Sequence, residues 1–118
     1  METLAEFRIE ARANDLAGEL SHGEQQWLEI AMVILQDPAL FLVDEPAAGL
    51  TDLETELTAE LLLELKDEHT ILVIEHDMDF VRQLNSKVTV LNEGRILAEG
   101  EMDELTTNEE VIEAYLGR

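Results

Sequence analysis

From Trp27 onward, apolar residues fall at Trp27, Ile30, Ala31, Ile34 and Leu35, the spacing that lines one face of a helix. In front of that face stands LSHGE (Leu20–Glu24), where Ser21 and Glu24 are spaced as a capping box. QDP ends the helix, because the residue before Pro38 is pushed out of the helical region. ALFLV (Ala39–Val43) is a short continuous apolar run, the pattern of a strand buried on both faces. DEPAAGLTD follows as a loop. Thr51 with Glu54 predicts a second capping box, and Leu53, Leu57, Leu61 and Leu65 continue at i+4 spacing as a helix. TILVI (Thr70–Ile74) is a second buried-type strand, ending in the charged EHD. A helix over roughly Met78–Leu84 leads to KVTVL as a third strand, and NEGR (Asn92–Arg95) predicts a hairpin turn into ILAEG. Thr107 and Glu110 are spaced as one more capping box before a terminal helix, and residues 1–19 read as an Ala- and Glu-rich helical lead-in.

Strands alternating with helices imply an α/β fold, with parallel strands, an edge β-hairpin and flanking helices. At 118 residues the chain holds one domain at most, and its 46% hydrophobic content sets it apart from disordered chains. No apolar run approaches the roughly 20 residues of a membrane span. The start, METLAEFRIEARAND, shows neither the basic nor the apolar region of a signal peptide. Cysteine is absent, which excludes disulfides and thiolate chemistry and makes the cytoplasm the expected compartment.

Charge changes the picture more. Twenty-eight acidic residues against seven basic ones give a formal charge of −21, and Lys66 and Lys87 are the only lysines. Such a surface repels nucleic acid phosphates and anionic lipid, so neither is expected as a direct ligand. It also strains the compact state by self-repulsion unless salt screens it, which points to a high-salt cytoplasm, with an ordinary acidic protein as the alternative.

In open α/β sheets, ligands sit beyond the carboxyl ends of the strands. Asp44 and Glu45 follow the first strand and His76 the second. An adjacent Asp and Glu can divide labour there, one holding Mg²⁺ and the other orienting or deprotonating a water, while a histidine donates to a terminal phosphate. Singly, each also fits a solvated loop start or a structural histidine. LSHGE is similarly double: the capped helix start offers free amides, a hydroxyl and a positive dipole end, which suit a phosphate. Spacing alone does not separate the two readings. The three histidines, His22, His69 and His76, match no metal-ligand spacing.

LSHGEQQWLEIAMVILQDPALFLVDEPAAGLTD resembles the signature helix, Walker B strand and D-loop of the ATP-binding cassette ATPases. ILVIEHDMDFV resembles the family's switch strand and H-loop, and VLNEGRILAEG its following strand pair. The variants LSHG, DEPAAGL, IEHDM and the closing EAYLGR look most like the branched-chain amino acid and urea uptake subgroup. The resemblance implies a single partial P-loop NTPase domain, its C-terminal half, with a helical signature region over 1–36 and the rest of the core over 37–118. In that family two ATPase subunits sandwich two ATPs beneath transmembrane permease subunits, at the cytoplasmic face of the membrane. Carried over by position, Ser21 and Gly23 would contact the γ-phosphate of a partner's ATP, with His22 and Glu24 on the same turn. Asp44 would support Mg²⁺, Glu45 would be the general base and His76 would contact the γ-phosphate in cis. Thr51 and Asp52 would take the D-loop positions.

The chain also departs from the family. No G-x-x-x-x-G-K-[ST] loop is present, since neither Lys66 nor Lys87 follows a glycine. The family's glutamine loop and adenine-stacking aromatic would lie before Met1. The chain is therefore expected to be inactive alone, and to self-associate or pair with a complementary fragment. His22 stands where the commonest signature has glycine, and Glu24 where it has glutamine. A carboxylate on an anion-binding turn opposes phosphate unless it folds back onto its own N-cap. Thr51 replaces the usual D-loop aspartate. The alternative to an importer ATPase is a non-catalytic split or degenerate half acting as an interaction or regulatory module. The C-terminal half of a DNA-repair or chromosome ATPase fits less well, given IEHDM, NEGRILAEG and the lack of heptads before Leu20.

Overall fold

The computed structural model describes residues 20–115, so the expected helical lead-in over 1–19 lies outside the described residues. The described residues belong to two compact units that divide between Glu75 and His76.

The first unit begins with α1 (His22–Ile34). Ser21 is its N-cap: its hydroxyl accepts from Glu24 N, and Glu24 Oε1 accepts from Ser21 N at 3.0 Å, closing the expected capping box. The helix ends at Leu35, and Asp37, before Pro38, turns to a left-handed φ of 49°. β1 (Phe41–Asp44) follows, then α2 (Asp52–Leu65), capped by Thr51 and Glu54 in a second capping box. β2 (Ile71–Ile74) lies parallel to β1, with Phe41 opposite Ile71 and Asp44 opposite Ile74.

Trp27, Ile30 and Ala31 of α1, Phe41 and Val43 of β1, and Ala59, Leu61, Leu62 and Leu65 of α2 are buried. Fully burying a side chain of the larger kinds contributes roughly 1.5–3 kcal/mol. One polar link ties the two helices together: Trp27 Nε1 donates to Thr58 Oγ1 at 2.8 Å, with Thr58 fully buried. Thr58 Oγ1 in turn donates to Glu54 O at 2.7 Å.

Two expectations change here. β1 and β2 do not show burial on both faces: Phe41 and Val43 are covered, whereas Leu42, Leu72 and Ile74 are more than half exposed. Leu42 and Leu72 are register partners, so the open apolar positions stand side by side across the pair. The leucine stripe of α2 is buried only at its carboxyl half, where Leu61 and Leu65 are covered. Leu53 is 64% exposed, because residues four apart advance by about 40° around a 3.6-residue helix and the row drifts away from the core.

The second unit opens with α3 (Met78–Gln83), where the Asp77 side chain accepts from Phe80 N at 3.1 Å as N-cap. β3 (Val88–Asn92) and β4 (Arg95–Gly100) form the antiparallel hairpin that NEGR predicts. Glu93 and Gly94 both carry positive φ, 51° and 78°, as a type I′ turn requires. α4 (Met102–Leu105) and α5 (Glu109–Tyr115) complete the unit. Val90, Met102, Leu105 and Val111 form its core, with Met78, Val81, Val88, Leu97 and Ala98 packed against them. The last cap differs from expectation. Asn108 Oδ1 accepts from Glu110 N and Val111 N at 2.9 and 3.3 Å, while Thr107 Oγ1 donates to Glu104 O instead.

Candidate functional site

The site residues of the first unit gather at two places. The first is the amino end of α1, where a carboxylate from α2 meets the LSHGE turn. Glu54 Oε2 accepts from Ser21 Oγ at 3.0 Å and from Gly23 N at 3.2 Å. Its other oxygen accepts from Thr51 N at 3.1 Å, within the α2 capping box. Gly23 is buried, and a Cβ there would strike the Glu54 carboxyl. These donors hold Glu54 below the ordinary glutamate value of 4.5, the Thr51 amide foremost, with burial pushing the other way and the Ser21 hydroxyl and Gly23 amide adding to the lowering.

His22 leans elsewhere. A Cβ on Gly49, whose φ is +74°, would come within 3.2 Å of His22 Nε2, so the imidazole lies over the DEPAAGL loop. Ser21, His22, Gly23, Glu24 and Thr51 therefore share one corner of the unit, and Asp52 is exposed at the first position of α2 beside them. Glu24 folds back onto its own cap, which is the arrangement under which it does not oppose an anion on the turn.

The second place is the carboxyl end of the parallel pair. Asp44 ends β1, and Glu45 N donates to Ile74 O at 2.7 Å, so the carboxylates leave the sheet at the same level as the end of β2. Glu45 is held at φ 49°, a conformation non-glycine residues rarely adopt and one that concentrates at functional sites. Pro46 behind it is fully buried. Glu75, just past β2, has Oε2 accepting from Ala47 N at 3.1 Å and so pins the turn after Asp44–Glu45. His76 is exposed and begins the second unit. Among the described residues, no group of three or more His, Asp or Glu is arranged to hold a metal ion. A Mg²⁺ at Asp44 thus needs ligands from a nucleotide or from another chain segment.

Sequence reasoning does not find two of these contacts. Glu54 is visible only as a cap of its own helix, and Glu75 only as part of a charged strand end. Pairing over 33 and 28 positions leaves no local spacing signal.

Comparison with known proteins adds independent information. A profile described as "ABC transporter" matches residues 1–48, and one described as "Branched-chain amino acid ATP-binding cassette transporter" matches residues 95–118. The chain is 41% identical over 116 residues to the high-affinity branched-chain amino acid transport ATP-binding protein BraF of Pseudomonas aeruginosa, covering 97% of this chain and 46% of BraF. It is 45% identical over 107 residues to LivG of Salmonella typhimurium, a protein of the same description, covering 89% and 42%. Its homologues are ATP-binding cassette proteins. The fold agrees. The ADP conformation of MJ1267, an ATP-binding cassette of an ABC transporter, superposes with a TM-score of 0.89 at 30% identity, covering 99% of this chain and 48% of that one. CbiO1 from Clostridium perfringens, part of the ABC transporter complex cbiONQ, gives 0.82 at 32% identity, covering 95% and 45%. The chain spans about half the length of the curated relatives it matches. The fold is that of a P-loop NTPase core.

Proposed function

We propose that this chain supplies the signature, Walker B and H-loop portion of an ABC importer ATPase for branched-chain amino acids or a related small solute such as urea. The observation that carries the reading is the capped α1 turn, where the Ser21 hydroxyl and Gly23 amide converge on one carboxylate oxygen as they would on a phosphate oxygen. Ser21 and Gly23 face the γ-phosphate of an ATP bound on a second ATPase subunit, with His22 and Glu24 on the same turn, and Thr51 and Asp52 line the same approach. Asp44 supports Mg²⁺, Glu45 is the general base and His76 donates to the γ-phosphate. The whole is one partial domain, with 1–36 as signature region and 37–118 as the remainder of its core. It works at the cytoplasmic face of a membrane against permease subunits; among the described residues no helix is long and apolar enough to cross a membrane.

The chain lacks a G-x-x-x-x-G-K-[ST] loop, so nothing in it cradles the β- and γ-phosphates. Phosphoryl transfer rests on positioning and charge stabilisation, which makes hydrolysis by this chain alone negligible. The alternative, a non-catalytic interaction module, is separable by experiment. Pull-down of full-length BraF by this chain should require MgATP and fail with Ser21→Ala. Binding that ignores both ATP and Ser21 favours the interaction module.

A further inference from the structure

The seat that the proposed function gives to a phosphate already holds an anion. Ser21 Oγ and Gly23 N are the two donors named for phosphate capture, and both point at Glu54 Oε2, at 3.0 and 3.2 Å. A phosphate oxygen takes such donors at about 2.7–2.9 Å, so the two anions compete for one position. Two like charges this close repel in water and several times more strongly near a protein surface. Co-occupancy is therefore excluded by both space and charge.

The surroundings show that Glu54 is seated rather than passing by. Its second oxygen is anchored on Thr51 N, its backbone lies in the first turn of α2, and the absence of a side chain at Gly23 leaves room for its carboxyl. Thr58, hydrogen-bonded to Glu54 O and to the Trp27 indole, fixes the α2 backbone against α1. The anchoring is asymmetric in a useful way. Oε1 holds the α2 cap and Oε2 holds the α1 turn, so a rotation of the carboxyl end can release the turn without uncapping α2.

We infer that Glu54 is an internal stand-in for phosphate: it keeps the signature turn in its gripping geometry when no nucleotide is present and must withdraw for a nucleotide phosphate to enter. The inference rests on the reading of Ser21 and Gly23 as phosphate donors. Glu54 is then a positioning residue whose negative charge sets the threshold for phosphate capture, a role that Glu24, folded onto its own cap, does not have.

Inorganic phosphate is the probe, titrated into the isotopically labelled chain at fixed ionic strength while the Gly23 amide and the Glu54 carboxyl carbon are followed by NMR. In the unaltered protein the two signals should move together, as Glu54 leaves the turn. Glu54→Gln keeps the length and hydrogen-bonding capacity of the side chain but removes the charge. It should tighten phosphate binding at Gly23 by about tenfold. A Gly23 response with an unmoved Glu54 carboxyl overturns the inference, and so does equal affinity in Glu54→Gln. Where Glu54→Gln does not fold, the coupled movement in the unaltered protein decides. No Gly23 response in either protein removes the phosphate reading of the turn itself, and the stand-in with it.

Discussion

At the scale of single residues, the amino end of α1 is held by contacts that can be broken one at a time. Gly23→Ala places a methyl against the flexible end of Glu54 and gains helix propensity, so it should leave stability within about 1 kcal/mol. It should nevertheless expel Glu54 from the turn and return its carboxyl toward the ordinary glutamate range, measurable by NMR titration. Gly49→Ala is different in kind. The φ of +74° and the His22 ring above it add strain to crowding, and the substitution should cost about 1 kcal/mol or more in denaturant unfolding. Thr58→Val strips the buried Trp27 indole of its acceptor and should cost roughly 1–3 kcal/mol by the same measurement. What the sequence discloses at this scale is the local half of each contact. The pairs Ser21–Glu24 and Thr51–Glu54 are legible because capping has a fixed spacing of three. The second use of Glu54, on Ser21 and Gly23, depends on how two helices pack and has no spacing of its own.

At the scale of elements, both helices of the first unit begin with capping boxes and acidic first turns. Negative charge there is favoured by the helix dipole, which is one use the chain makes of its acidic excess. The lowered carboxyl of Glu54 links this to pH. A group whose folded value lies below its unfolded value stabilises the fold above the unfolded value, near 4.5, and loses that contribution as pH falls through the lower folded value. Acid unfolding should therefore begin at higher pH in Glu54→Gln than in the unaltered protein, because the variant lacks that contribution, with the two proteins converging at the acid end. The strands were less legible than the caps. A continuous apolar run such as ALFLV reads as buried on both faces, but β1 is covered only at Phe41 and Val43. Periodicity reports the burial a sequence is suited to, and half of that burial lies on a face where Leu42, Leu72 and Ile74 stand open. Asn108 shows the reverse case, where the amide oxygen one residue on takes the cap expected of Thr107.

At the scale of the whole molecule, the family, the α/β class and the position of Asp44 and Glu45 past β1 were readable from motifs in order, because each motif carries its own local geometry. The division into two compact units at Glu75 was not, since no proline, glycine run or change of composition marks it. Two bulk properties bear on behaviour in solution. Exposed Leu40, Leu42, Leu72 and Ile74 are apolar surface of a kind that drives association, so sedimentation should show concentration-dependent self-association. With a net charge of −21, melting temperature should rise as KCl is raised from low to molar concentration; indifference to salt would argue against adaptation to a saline cytoplasm. We propose that this chain holds the base, the signature turn and the H-loop histidine of an ATPase, and it lacks a G-x-x-x-x-G-K-[ST] phosphate cradle. Steady-state phosphate release tests it most directly, measured on the chain alone and on the chain joined to the part of BraF that it does not match. The account predicts release from the joined protein that Glu45→Gln abolishes, and none from the chain alone above its own Glu45→Gln control. Release by the chain alone that Glu45→Gln removes, or release by the joined protein that survives Glu45→Gln, would contradict it.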